Sequence, residues 1–195
     1  LQSCDGVTVL ETCEFGYFSG CPAGVLRRQN GGSFYLSRVS AVNTTGPLVF
    51  FFGQRSLLSI VDSVFVDYTG AVGTHFDRAL GGDFVFQNCS FRSYTSQYFV
   101  FRSGVPLWTL NISNSTFVEF TSSIGIGVDL QYPIEVADSS FRDSSLLLGS
   151  TWISGTEFIN CTGLDSTGVF RGSVHAANTS FFKCSNLSKL STFLS

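Results

Sequence analysis

The chain has 195 residues, a net charge of −3, 13% charged and 15% aromatic side chains, and 21 Phe. That length can bury a substantial core, but charge at about half the globular norm leaves little to keep an open surface soluble. Nine scattered Arg and two Lys, Lys183 and Lys189, exclude the basic stripe of a nucleic-acid binder, and no run of about 18 apolar residues marks a transmembrane helix.

From the N-terminus, residues 1–30 hold Cys4, Cys13, Cys21 and the first copy of a motif, apolar-x-apolar-x-(Asp/Asn/Gly)-small-x-Phe, that ends at Phe15. This stretch is read as a Cys-containing cap and first coil, with a Cys4–Cys21 bridge closing the cap loop. Over 31–195 the motif returns with anchors at Ala41, Phe65, Phe91, Phe117, Phe141, Phe158 and Phe181. The steps are roughly 25 residues, with one short step of about 17 before Phe158.

Superposed, the copies give columns with consistent directions. Five residues before the anchor stand Leu10, Leu36, Ile60, Phe86, Ile112, Val136, Ile153 and Ala176; seven before it the column is also mostly apolar, from Phe34 to Val174. Both are the inward side of a short strand. Three before the anchor come Thr12, Arg38, Asp62, Asn88, Asn114, Asp138, Gly155 and Asn178, mostly residue types that tolerate left-handed backbone, so a bend is predicted there. A small residue follows, then an outward polar one, then the inward Phe. Two past the anchor the column is polar and outward; three past it, Phe18, Tyr68, Tyr94, Phe120, Cys161 and Cys184 face the core. Third strands are predicted at 49–52, 98–101, 124–128, 146–148 and 168–170.

Three strands per repeat with like residues at like positions describe a parallel β-helix of about eight coils, stacked at about 4.8 Å. A β-sandwich also suits strands every 8 to 12 residues, but it does not explain the identity of the columns. Stacked Cα atoms about 4.8 Å apart lie within disulfide range, so a Cys161–Cys184 bridge is expected. Cys13 and Cys89 share a column three coils apart and are expected as buried thiols.

Seven Asn-x-Ser/Thr sequons and the absence of Met point to a processed chain from a secretory route, and hence to an extracellular or cell-surface protein. Asn43 and Asn160, in the outward column, are the preferred glycan sites, with Asn186 next. Asn88, Asn114 and Asn178 fall in the bend column, where an amide ladder competes for them; Asn111 points outward and competes sterically with Asn114.

With bends such as Ile112-Ser113-Asn114-Ser115-Thr116-Phe117 and Val136-Ala137-Asp138-Ser139-Ser140-Phe141, nearly the whole chain resembles the right-handed β-helices of the pectin-lyase-like superfamily. The element Phe158-Ile159-Asn160-Cys161 and the Gly31-Gly32 and Gly81-Gly82 turns are similar to repeats of polymorphic outer-membrane adhesins and of surface proteins of protists. The resemblance brings polysaccharide lyases, hydrolases and esterases into view. Such chemistry needs clustered carboxylates, or a basic residue beside acidic calcium ligands. Asp62 and Asp138 sit in the bend column three coils apart; with Asp67 and Asp143 they read as solvated turn carboxylates. His75 and His175 are isolated. No catalytic residue, metal site or cofactor is therefore expected.

The sequence points to a non-enzymatic extracellular structural or adhesive glycoprotein. Because the repeat runs to the end of the chain without a polar terminal helix, its coil ends are expected to join head to tail into a homopolymer filament, or to continue a longer β-helical surface protein. The alternative is a polysaccharide-binding or polysaccharide-degrading β-helix, with outward Trp152 as a sugar platform.

Overall fold

The computed structural model describes residues 2–4, 7–11, 14–16, 26–29, 32–45, 49–52, 56–69, 73–76, 82–96, 100–102, 108–122, 134–146, 148, 151–163 and 173–187. The fold is all-β, with parallel strands throughout and no helix among these residues. It is a β-solenoid.

The first sheet stacks eight strands: Val7–Glu11, Gly32–Ser37, Ser56–Val61, Gly82–Gln87, Trp108–Ser113, Ile134–Ala137, Thr151–Ser154 and Val174–Ala177. Its register sets Leu36, Ile60, Phe86, Ile112, Val136, Ile153 and Ala176 over one another, as the sequence columns require. Period-two alternation buries these residues, Ala176 only in part, and the column from Phe34 to Val174. The second sheet carries the anchors on its own eight-strand path, from Glu14–Gly16 to Ser180–Phe182. Phe65, Phe91, Phe117, Phe141, Phe158 and Phe181 form an unbroken stack of rings with centroids 4.5 to 5.0 Å apart. That spacing is the strand spacing itself, so the backbone ladder and the ring stack are in step.

The third sheet has five strands: Gln2–Cys4, Leu26–Gln29, Val49–Phe52, Gly73–Phe76 and Val100–Arg102. These five bound about four complete three-sided turns. The expected eight coils of three strands each are thus reduced, in three-sided form, to about four among the described residues. Later coils continue in the other two sheets, joined by the short strands Ser145–Leu146 and Thr162–Gly163. The predicted third strand at 49–52 is observed, and Val100–Arg102 overlaps 98–101. The predictions at 124–128 and 168–170 lie outside the described residues, as do Cys13, Cys21 and most of the cap loop.

Two bends shape each coil, not one. The predicted bend residues Arg38, Asp62, Asn88, Asn114, Asp138, Gly155 and Asn178 all have φ between 46° and 55°. A second left-handed position falls two past the anchor, at Asn43, Asp67, Ser93, Glu119, Asp143, Asn160 and Lys183. That column reads from sequence only as polar and outward, because Ser, Glu and Lys do not announce left-handed backbone. The conformation costs about 1 kcal/mol or more per non-glycine residue. At ten of the bend positions the backbone N–H recovers part of this by donating across the coils, as Asp62 does to Gln87 O at 3.0 Å and Asn114 does to Ala137 O at 3.1 Å.

Behind the first bend runs a buried hydroxyl ladder. The hydroxyls of Ser63, Ser115, Ser139 and Thr156 each donate to the carbonyl two residues earlier, at 2.7 to 2.8 Å. Each also accepts a backbone N–H from the neighbouring coil, as from Cys89 to Ser115 Oγ at 3.1 Å and from Ser115 to Ser139 Oγ at 3.1 Å. The sequence shows this column only as small; hydrogen bonding is what makes its hydroxyls tolerable inside. Ser115→Ala is expected to destabilise by about 1–3 kcal/mol in urea denaturation, because it strands the buried N–H of Cys89. A loss below about 0.5 kcal/mol, typical of a neutral surface change, would show that the ladder contributes nothing.

Candidate functional site

Three features carry polar or reactive chemistry. The first is the line of bend side chains. Asn88 Nδ2 donates to Asp62 Oδ1 at 2.9 Å, and in the second bend Asn160 Nδ2 donates to Asp143 Oδ1 at 2.6 Å, so the amide ladder exists in short pieces. Asp138 leans over Gly155 of the next coil, where an added Cβ would collide with its Oδ1. Asn88 and Asn114 separate Asp62 from Asp138, while Ser93 and Glu119 separate Asp67 from Asp143. The four candidate carboxylates are therefore spread along the rod, and no cluster of three or more potential metal ligands occurs among the described residues.

Six sequon residues, Asn43, Asn88, Asn114, Asn160, Asn178 and Asn186, lie at exposed left-handed positions. Asn111 lies in mid-strand in the first sheet and is half-buried. The small residue after a bend is inward and the next is outward, so a bend Asn followed two residues later by Ser or Thr satisfies the coil and spells a sequon together. Coil geometry thus accounts for Asn88-Cys89-Ser90, Asn114-Ser115-Thr116 and Asn178-Thr179-Ser180 without reference to glycans. It does not account for Asn111, which needs no left-handed residue.

The second feature is the sulfur column. Cys161 and Cys184 occupy equivalent places in successive coils, flanked by the Thr162–Ser185 bridge. The structure holds them as thiols, not as the expected disulfide. Each sulfur is seated against a carbonyl of the preceding coil: Cys161 Sγ donates to Phe141 O at 3.4 Å and Cys184 Sγ to Phe158 O at 3.3 Å. Cys89 is a buried thiol, as expected. Cys13 and Cys21, and the Cys4 side chain with its cap bridge, lie outside the described residues.

The third feature is a row on the outer face of the first sheet. Parallel register brings Asn111, Glu135, Trp152 and His175 into one column on four successive coils. Trp152 is 54% exposed, and the His175 ring stands against it at 83° with centroids 6.1 Å apart. An edge contact props an indole without covering it as a parallel ring would. Beside the row, Ala137, Ser154 and Ala177 keep the surface low, and a shallow groove of about 420 Å³ runs between the two lines of side chains. The sequence places Trp152 outward; the same repeat phase sets Glu135 and His175 in its column, six residues before their anchors, and the structure adds the ring contact between Trp152 and His175.

No protein-family model, curated protein or solved structure matches this chain.

Burial pushes the Cys89 thiol up to about 11 and the Cys161 thiol up to about 12, with backbone hydrogen bonds from Ser63 and Ser144 respectively opposing the rise. Burial raises the Tyr68 phenol as well. A folded pKa above the unfolded one means that the folded state holds the proton more tightly. The associated stability is complete below about pH 9 and is lost as pH rises through the folded values. Urea midpoints are expected to hold up to about pH 9 and fall towards pH 12, and to fall less in the Cys89→Ser, Cys161→Ser variant. An unchanged fall in the double variant would remove these thiols from the effect.

Proposed function

We propose that this chain is a non-enzymatic structural or adhesive β-solenoid glycoprotein of the cell exterior, related in form to right-handed pectin-lyase-like β-helices, that builds rods by stacking coil on coil. The carrying observation is the contrast between interior coils and the last described one. Phe158 and Cys161 are fully buried, whereas Phe181, Cys184 and Leu187 in the next coil are only partly so. Residues of this kind gain their full hydrophobic stabilisation, about 1.5–3 kcal/mol for a large side chain, only when a further coil covers them. That coil is a second copy in a filament, or a continuation in a longer surface protein. Low charge and exposed bend asparagines that can carry glycans agree with this reading.

Purified, glycan-intact protein is expected to form unbranched fibres in negative-stain electron microscopy, and Phe181→Asp is expected to shorten them while leaving the circular dichroism of the coil unchanged. A monodisperse monomer across the micromolar range would overturn the polymer reading.

Exposed Trp152 beside its groove favours a second reading, in which the rod binds or cleaves polysaccharide. Under that reading, cleavage of acidic polysaccharide is measurable by reducing-end release and disappears in the Asp67→Asn, Asp143→Asn variant. Failure to detect release, or activity untouched by those substitutions, would count against it.

A further inference from the structure

We propose that the Glu135–Trp152–His175 row is the seat of an N-linked glycan carried by Asn111 of the same chain, with Trp152 as the platform for one of its first pyranose rings. The inference rests on the exterior glycoprotein reading above. Among the sequons, Asn111-Ile112-Ser113 is the one in a mid-strand position of the first sheet, away from the left-handed bends that explain Asn elsewhere. It shares a column with the exposed Trp. Register sets Asn111 next to Glu135 and Glu135 next to Trp152, so two rungs, about 10 Å, separate the attachment point from the indole. Two linked pyranose rings cover that reach.

The chemistry along the path suits an amino sugar. The C–H face of a pyranose packs on an indole face, while its hydroxyl and acetamido groups need polar partners at the ring edge. Trp152 supplies the apolar surface, the Glu135 carboxylate accepts from hydroxyl or amide N–H, Ser154 lines the groove beside the indole, and His175 lines it on the coil beyond. Ala137 and Ala177 leave room for the ring beside the row. In the attachment step, Asn111 Nδ2 forms a bond to C1 of the first hexosamine of a lipid-diphosphate-linked oligosaccharide. The C1–O bond to the diphosphate breaks, the amide loses one proton, and the lipid diphosphate leaves. No oxidation or reduction is involved.

The full chain is expressed in a eukaryotic secretory host and its sequons are mapped by glycopeptide mass spectrometry. Asn111 is expected to be occupied. An endoglycosidase that cuts between the first two hexosamines is expected to act on the Asn111 glycan roughly fivefold faster in Trp152→Ala, a ratio equivalent to about 1 kcal/mol, with Trp152→Phe intermediate. Rates at other occupied sequons should not change. Glycans elsewhere with none on Asn111 would overturn this proposal and leave the glycoprotein reading standing, whereas glycans nowhere would overturn both. Equal cutting rates in wild type and Trp152→Ala would also overturn it. If chitotetraose added to the Asn111→Gln protein shields Trp152 from acrylamide quenching and the Asn111 glycan does not, the platform takes sugar from outside the chain and the proposed source is wrong.

Discussion

The spacing of about 4.8 Å between hydrogen-bonded parallel strands is the constraint on which the rest of this protein depends. Once successive coils are locked at that distance, any residue lies directly over its counterpart in the neighbouring coil. Flat rings stack at the same distance, and the six-ring Phe column holds 4.5 to 5.0 Å from Phe65 to Phe181 without departing from the backbone ladder. Tyr68, Tyr94 and Phe120 make a second column, set edge-on to the first. The two columns brace each other at right angles, which fills the core from two directions.

The same repetition makes unfavourable local choices tolerable. Fourteen non-glycine residues among those described take positive φ, and ten of them are Asn or Asp. The other four, Arg38, Ser93, Glu119 and Lys183, have no local reason to do so. They are carried by position: a neighbouring coil bends at the same place, and backbone N–H groups at the bends bond from coil to coil, as from Arg38 to Val61 O. The serine column follows the same rule. A hydroxyl inside a core is costly when alone, but each hydroxyl here finds one carbonyl in its own coil and one N–H in the coil before it.

Repetition also changes the meaning of the sequons. In the bend column, Asn is what the backbone wants and Ser or Thr two residues later is what an outward place beside a buried one accepts, so the count of sequons partly reports the fold. Asn111 stands apart because its strand position has no such demand, and it shares a face with the exposed indole of Trp152. Cys161 and Cys184 show a related limit. Repeat phase set them in one column, yet inward-facing thiols can each settle against a carbonyl of the coil beneath without joining.

How much was legible in sequence follows from the range of the interactions concerned. The inward columns, the Phe stack, the first bend and the all-β parallel architecture depend on residue type at a fixed place in each repeat, and a linear pattern is enough to state them. The second bend escaped because Glu119 and Lys183 adopt left-handed backbone only under pressure from neighbouring coils. The hydroxyl ladder escaped because smallness, not hydrogen bonding, is what a column of Ser, Cys and Thr displays. The row of Glu135, Trp152 and His175 lies six residues before successive anchors, so repeat phase already aligns it; what the tertiary structure adds is the exposure of Trp152 and the edge-on contact of His175 with it. The sequence by itself determined the repeat, the register of its columns and which way the apolar ones face, because periodic burial is written one residue at a time; only the stacked coils decided the second bend, the hydroxyl ladder and which outward rings touch, because those depend on hydrogen bonds and side-chain packing between coils that no local preference encodes.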